Sequence, residues 1–440
     1  MRRPFLHHLL RRLFLVALDV YYRREPQAGG EVPAEGPVLL VANHPNGLVD
    51  PLLLATTTPR TVRFLGKAPL FDAPVLGALM RGFRALAVYR AQDGADTARN
   101  ERTFEAVHAA LGAGDLVCMF PEGKSHDEPA LQTLKTGAAR MALGAEARHG
   151  FALGVRIVPV GLVYRAKRRF RSRVATAVGR PIDARELAGE FARDEREAAR
   201  LLTERIAAGL REVTLRLDRW EDLPLLELAA EILRPETEDR LGFVHELAER
   251  LGRLRARGDP ALAARLDELT DRVSAFRERL RALGIGPERL HARYSARGVL
   301  LFCLRNLATL LVVLPLAAAG ALLWSVPYWL VPRAARLARP SRDVHATAQL
   351  LAGTLFFPLW WLAATALAWL LLAPAWGAFV LLGAPPLGLF ALGTRDRRAE
   401  VLGDARAFFV LGRRRRLREV LVAEREGIAR EIAALRDGGR

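Results

Sequence analysis

An α/β domain followed by a helical region and C-terminal transmembrane helices is the architecture this 440-residue sequence predicts. Three observations predict it. Short β-branched runs alternate with helical patterns from Pro37 to about Ile182, a charged and Leu-spaced stretch poor in β formers runs from Ala184 to Arg297, and long uncharged apolar runs follow. A chain of this length exceeds the span of one hydrophobic core, so more than one structural unit is expected.

The elements follow in chain order. Phe5 to Tyr22 is apolar but interrupted by Arg11 and Arg12, is followed by Arg23 and Arg24, and lacks a small-residue cleavage site. Residues 1–24 are therefore read as an interfacial anchor helix rather than a signal peptide. Within the α/β domain, residues 25–183, strands are expected at Val38 to Ala42, Ala85 to Tyr89, Leu116 to Phe120, Ile157 to Val163 and Arg173 to Val178. Helices are expected at Asp96 to Leu111, ended by Gly112 and Gly114, and at Leu134 to Arg148, ended by Gly150. Residues 184–297 read as helices, for instance Leu262 to Leu283, and carry no recognisable chemistry.

Residues 298–394 are expected to be membrane-embedded. Asn306 to Val331 carries no charge, nor does Val344 to Thr394 apart from His345. The second run is long enough to span twice, with a turn near Ala373 and Pro374. Arg333, Arg336, Arg339 and Arg342 separate the two runs, and Arg413 to Arg416 follow them in the basic helical tail, residues 395–440. If each run is a hairpin, with Pro315 and Gly320 breaking the first, every arginine cluster faces the cytosol beside the α/β domain.

The formal net charge of +18 calls for anionic surroundings: anionic lipid headgroups, phosphorylated substrates or nucleic acid. No nucleic-acid recognition module or basic-aromatic interleaving accompanies it, so no nucleic-acid partner is expected. Lys67, Lys124, Lys135 and Lys167 are the only lysines, the rest of the positive charge being arginine. Cys118 and Cys303 lie far apart without metal-ligand spacing, which argues against a disulfide or zinc framework.

Four blocks carry chemistry. Val38 to Asp50, VLLVANHPNGLVD, reads as a buried strand running into a turn that holds one imidazole and one carboxylate. Such a pair suits general-base catalysis, the carboxylate fixing the tautomer and balancing the imidazolium. On an unbroken helix His44 and Asp50 would face apart, so Pro45, Asn46 and Gly47 must turn the chain. A satisfied loop pair is the alternative. The second block, with Gly66 and Lys67 and then Gly82 to Arg90, ends a strand with an arginine suited to a phosphate or to plain solvation. The third, Phe120 to Asp127, FPEGKSHD, offers donors from Lys124 and Ser125 beside Gly123, with Lys135 and Gly137 opening the next helix. His44, Glu122, His126 and Asp127 as a metal site is a competing reading, although neither a helical two-His spacing nor a clear third ligand is present. The fourth block, Ile157 to Tyr164, is apolar core and pocket wall.

The four blocks in this order resemble the glycerolipid acyltransferase family, over about Phe14 to Ile182. The resemblance implies an α/β acyltransferase domain with a mixed sheet. It implies His44 and Asp50 as the catalytic pair, with Arg90, Glu122 and Gly123 at the acceptor, to which the residues themselves add Lys124, Ser125, Lys67 and Lys135 as donors expected to meet its phosphate. Pro159 and Val160 are implied at the acyl pocket. Most members of the family place four residues between the His and the Asp, whereas five separate His44 from Asp50, and many carry Thr-Arg where Lys124 and Ser125 stand. The longer spacing, the FPEGxSHD run and the continuation Leu134 to Gly144 resemble the branch of fungal glycerol-3-phosphate and dihydroxyacetone-phosphate acyltransferases.

From this resemblance follows an expected integral membrane enzyme of phospholipid biosynthesis with its catalytic domain on the cytoplasmic face. It would transfer an acyl group from an acyl-CoA or an acyl-carrier protein to a glycerol phosphate, glycerol 3-phosphate being favoured, with no metal and no cofactor beyond the acyl donor. Lysophosphatidate or another lysophospholipid as acceptor, and a non-catalytic lipid-binding scaffold, are the other readings the sequence allows.

Overall fold

The computed structural model describes residues 3–72, 74–89, 100–215, 217, 219–233, 240–285, 290, 311–337, 344–413 and 415–437. The chain divides into two compact units. The first comprises Met1–Arg216 and Ala338–Leu351, and the second Leu217–Leu337 and Ala352–Arg440.

The first unit is built on a nine-stranded sheet: β1 Tyr22–Arg24, β2 Ala28–Gly29, β3 Val38–Ala42, β4 Val62–Lys67, β5 Leu86–Val88, β6 Leu116–Met119, β7 Arg156–Tyr164, β8 Ser172–Val178 and β9 Ile182–Asp183. Its order is β1-β8-β7-β3-β6-β4-β5, with β2 on β8 and β9 on β7. Strands β7, β3, β6, β4 and β5 run parallel, while β8 and β9 run antiparallel to β7. The sheet is therefore mixed, and the carboxyl ends of the five parallel strands share one edge.

The central strand β3 is apolar throughout because both of its faces are covered. Side-chain alternation assigns Val38, Leu40 and Ala42 to one core and Leu39 and Val41 to another. The first core takes in Leu18 of α1 (Arg3–Tyr21) and Val49, Leu53 and Leu54 of α2 (Val49–Leu54). Short helices α3 (Pro69–Asp72) and α4 (Pro74–Gly82) follow β4. The second core is filled by α5 (Asn100–Gly112), α6 (Gly137–Arg148) and α8 (Glu195–Val213), the last preceded by α7 (Ala188–Arg193).

Three sequence expectations are corrected here. Helix α1 ends at Tyr21, and residues 22–24 form β1, held by parallel pairing to β8 rather than continuing the anchor helix. Strand β4 was not expected, because Arg63, Gly66 and Lys67 dilute its apolar pattern; it is held by β5 and β6. Helix α8 belongs to the sheet domain and not to the helical region, since Ala198, Leu202, Ile206 and Leu210 complete its second core.

In the second unit, α9 (Leu223–Leu233), α11 (Pro260–Leu283) and α16 (Arg415–Asp437) share a core of Leu225, Leu228, Val273, Phe276, Leu421 and Ile428, with α10 (Arg240–Ala256) packed on α9. Asp259 caps α11 through the amides of Ala261 and Leu262, and Gly284 closes it at φ 68°.

Helices α14 (His345–Leu371) and α15 (Pro374–Arg413) follow one another with the turn where the sequence expects it, and α14 with the Pro374–Arg395 part of α15 is long and apolar enough to cross a membrane. Their outward Leu359, Leu362, Trp369 and Phe379 are exposed, as lipid-facing side chains are. The chain is a membrane protein. The first apolar run is α12 (Leu311–Leu323) and α13 (Ser325–Leu337), bent by 42° at Trp324 rather than at Pro315 or Gly320, both of which lie inside α12. The Trp360 indole donates to the Leu323 carbonyl at 2.7 Å, which occupies a backbone acceptor at the bend, and the Trp324 indole donates to the Ala384 carbonyl of α15 at 2.9 Å. Gly320 lets the Leu387 carbonyl approach to within 2.5 Å of where a Cβ would sit.

Gly161 on β7 has a similar role in the first unit. A Cβ there would lie 1.8 Å from the Val213 carbonyl oxygen at the end of α8, which is backbone and cannot step aside. Gly161→Ala is expected to cost about 1–3 kcal/mol by overpacking, read as a lowered thermal midpoint; an unchanged midpoint would contradict this packing.

Candidate active site

The chain leaves β3 at Ala42 and enters the turn that carries the first block. Asn43 anchors the exit by exchanging two hydrogen bonds with β7: its amide donates to the Leu162 carbonyl at 3.0 Å and its carbonyl accepts from the Leu162 amide at 2.8 Å. The Val49 amide donates to the Asn46 carbonyl at 3.0 Å, and Gly47 at φ 45° supplies the left-handed residue. The chain is thus reversed, and His44 and Asp50 meet: Nδ1 of His44 lies 2.9 Å from Oδ2 of Asp50.

Asp50 is fully buried. Its carboxylate accepts two further bonds, from the Asn46 amide at 2.7 Å and from the Tyr164 hydroxyl at 2.5 Å. Charge-assisted bonds of this kind contribute about 1.5–3 kcal/mol each, the scale needed to offset burial of a charge. Because an ionised carboxylate only accepts, the His44 hydrogen sits on Nδ1 and Nε2 keeps its lone pair. Phe120, at the end of β6, stacks on the imidazole with ring centroids 3.8 Å apart and planes 10° from parallel. The ring is fixed in plane as well as in tautomer, and the His44 side chain retains 17% of its accessibility.

Around this pair lies a polar network that sequence reasoning missed. The Asn46 side chain donates to the Tyr22 hydroxyl at 2.9 Å, and that hydroxyl donates to the Lys167 carbonyl. The Lys167 ammonium donates to the carbonyls of Pro45, at 2.5 Å, and His126, at 3.1 Å, and pairs with Asp127 at 2.7 Å. One buried lysine thereby bridges the turns of the first and third blocks. Burial, reinforced by the Asp50 charge, pushes the Tyr164 phenol well above its ordinary value; burial and neighbouring Tyr21 raise Tyr22 likewise. Both remain protonated donors through the neutral range.

Glu122 takes a place different from the one implied for it. Its side chain is buried, with Oε1 accepting from the His44 amide at 2.9 Å, and Oε2 accepting from the Gln132 amide at 2.8 Å and from His126 Nε2 at 2.5 Å. Both oxygens are occupied by the protein, so Glu122 ties the two turns together rather than facing a ligand. Gly123, at φ 75°, lets the end of Lys135 pass within 2.9 Å of where a Cβ would be. Lys124, Lys135 and Lys67 are exposed, and Ser125 is half-buried. Lys67 ends β4 and Lys124 follows β6, so both stand at the carboxyl edge where ligands collect. Arg90 lies outside the described residues. Pro159 projects toward α8, beside Gly209 and Gly179, on the opposite face from Tyr164, whereas Val160 joins the core containing α1 and α2.

Among the described residues no group of three or more His, Cys, Asp or Glu side chains is placed to hold a metal ion. Of the four residues in the competing metal reading, His44 is held by Asp50, Glu122 by His126, and Asp127 by Lys167. Cys118 is buried in β6, where burial pushes its thiol up and away from thiolate chemistry.

A buried carboxylate bonded to an imidazole, with exposed lysines at the carboxyl edge of the same sheet, is an arrangement chemically suited to a general base and to an anion. Residues 27–163 match the family model described as Acyltransferase. This segment is an acyltransferase domain. The domain accounts for β2 to β7 and the His44–Asp50 turn. The chain is 24% identical over 417 residues to an uncharacterized acyltransferase of Schizosaccharomyces pombe, covering 74% of this chain and 61% of that protein. It is 32% identical over 217 residues to glycerol-3-phosphate O-acyltransferase 2 of Saccharomyces cerevisiae, covering 48% of this chain and 28% of that protein. With glycerol-3-phosphate O-acyltransferase 1 of the same yeast the identity is 30% over 277 residues, 58% and 36% of the two chains. The chain thus spans less than two thirds of each of these relatives. Among solved structures, the crystal structure of the 1-acyl-sn-glycerophosphate acyltransferase PlsC from Thermotoga maritima aligns with a TM-score of 0.36 at 18% identity, covering 48% of this chain and 83% of that one.

The elevated tyrosine values carry a pH prediction. The folded state holds the Tyr164 proton more tightly than the unfolded state, whose phenol titrates near 10.0. The corresponding stability is full below about pH 10 and declines as pH rises beyond it. Tyr164→Phe is expected to lower stability at pH 7 and to flatten the alkaline decline; an equally steep decline in the variant would contradict the burial and bonding of this phenol.

Proposed function

We propose that this protein transfers a fatty acyl group from a thioester, on coenzyme A or an acyl-carrier protein, directly to a hydroxyl of a glycerol phosphate. The observation that carries the reading is the His44 imidazole, held through Nδ1 by the Asp50 carboxylate and stacked on Phe120, an arrangement that leaves Nε2 to accept a proton. Nε2 removes the hydroxyl proton as the oxygen attacks the thioester carbonyl carbon. The imidazolium formed is stabilised by Asp50, the C–S bond breaks, and the departing thiolate takes the proton from Nε2, leaving the ester and the neutral enzyme. No acyl-enzyme is required, and Cys118 is too deeply buried to form one.

Glycerol 3-phosphate is the acceptor proposed. The two yeast relatives named as glycerol-3-phosphate O-acyltransferases support it, as do the five-residue His–Asp spacing and the FPEGKSHD run. The phosphate would be met by Lys124, Lys135 and Lys67, and by Arg90 as the sequence resemblance implies, holding the acceptor hydroxyl near His44. The domain is proposed to face the cytosol, because Arg333, Arg336, Arg339 and Arg342, and Arg413 to Arg416, flank the apolar runs.

The test uses the full chain in detergent or nanodiscs with one labelled acyl-CoA and a panel of glycerol 3-phosphate, dihydroxyacetone phosphate and lysophosphatidate. Glycerol 3-phosphate is expected to give the highest kcat/KM. His44→Ala should lower kcat by about 10³-fold or more, the scale of general-base catalysis, with the thermal midpoint retained. Near-normal transfer by that variant would refute the role of His44, and a preference for lysophosphatidate would overturn the acceptor.

A further inference from the structure

The catalytic turn is not completed by the acyltransferase domain. Of its backbone donors, the Asn46 amide goes to Asp50 and the Val49 amide to the Asn46 carbonyl. The Leu48 amide, between them, goes instead to the hydroxyl of Thr347 at 3.1 Å, 299 residues further along the chain. Thr347 lies in the first turn of α14, well beyond residue 163, where the family match ends.

This contact is built rather than incidental. Thr347 is buried, and its neighbours Ala346 and Leu350 enter the same core as Tyr22, Val49 and Leu53, one face of the helix being sunk beside the turn. A second thread starts two residues on. The Gln349 side chain accepts from the Tyr21 hydroxyl; Tyr21 packs edge-on against Tyr22, with ring centroids 4.7 Å apart; and the Tyr22 hydroxyl accepts from the Asn46 side chain. Asn46 in turn holds Asp50 through its own amide. Both threads end on the residues between His44 and Asp50. Residues 344–351, which supply them, group with the sheet domain, while the rest of α14 belongs to the second unit.

We propose that the first turns of α14 clamp the catalytic turn, with Thr347 as a positioning residue that acts through the Leu48 amide on the His44–Asp50 pair. The proposal rests on the acyl-transfer reading for its kinetic consequence but not for its structural one. A turn with five residues between acid and base has more ways to misplace them than a shorter one, and a half-buried amide left without its partner would favour those alternatives. The Thr347 hydroxyl removes that freedom without touching substrate. A misplacement of about 1 Å at such a pair is enough to cost about 100-fold in rate, so the helix sets kcat and leaves substrate affinity alone.

The experiment compares the full chain with Thr347→Val, which keeps the shape and loses the hydroxyl, and Thr347→Ser, which keeps the hydroxyl. In Thr347→Val, amide hydrogen exchange in the peptide spanning residues 44–50 is expected to accelerate about tenfold, as loss of one half-buried hydrogen bond allows. In the same variant kcat should fall about tenfold with KM for both substrates within about twofold. Thr347→Ser should stay close to wild type in both. Unchanged exchange in Thr347→Val would overturn the clamp, as would faster exchange with unchanged kcat. A Thr347→Ser variant as impaired as Thr347→Val would also overturn it, reducing Thr347 to packing. If the wild-type chain transferred acyl groups to none of the acceptors, the function proposed above would fail, and the exchange measurement would still decide whether α14 holds the turn.

Discussion

Everything at this site follows from placing one carboxylate, Asp50, where water cannot reach it. A buried charge without partners costs several kcal/mol, so the fold must supply donors from several directions. It does so from three: the His44 imidazole, the Asn46 amide and the Tyr164 hydroxyl. Each donor then has its own requirement. His44 must be stacked, which Phe120 does from the end of β6; Asn46 must be oriented, which Tyr22 does from the start of β1; Tyr164 must end β7 on the same face of the sheet. The parallel order β7-β3-β6 is what brings these strand ends together. The chemistry of His44, a free Nε2 opposite a bonded Nδ1, is the consequence of this arrangement and not an independent feature.

The lysines add to this picture. In a chain whose positive charge is almost wholly arginine, the four lysines all fall between residues 67 and 167. Three are exposed, at or near the carboxyl edge of the sheet, where a compact point charge on a flexible stem suits a phosphate. The fourth, Lys167, is turned inward, and its ammonium satisfies two carbonyls and Asp127 within the space between two turns. An ammonium has three donors, one for each of these acceptors.

Much of this was legible in the sequence, for physical reasons that differ by residue. The strand β3 and the turn after it were readable because burial on both faces produces an unbroken apolar run and because Pro45, Asn46 and Gly47 are turn formers. That His44 and Asp50 could meet was a condition imposed by that turn, and the structure meets it. Tyr22, Tyr164, Lys167 and Thr347 were not legible, since nothing local distinguishes a tyrosine that ends a strand inside a network from one that ends it at the surface. Only the pairing of β7 with β3 and β1 with β8, and the packing of α14 on the same core, gives them their roles. Glu122 was misleading for the converse reason: a carboxylate beside Gly123 and Lys124 looks available to a ligand until both of its oxygens are found occupied.

The central claim is that Asp50 fixes the tautomer of His44, leaving Nε2 to accept a proton. Nitrogen NMR of the full chain with ¹⁵N-labelled histidine, His44 being assigned by its loss in a His44→Asn variant, tests it most directly. At a pH where the ring is neutral, His44 is expected to show a protonated Nδ1 and an unprotonated Nε2, and to lose that preference in Asp50→Asn. A His44 protonated on Nε2 in the wild-type protein, or a tautomer unaffected by the Asp50 substitution, would contradict the account.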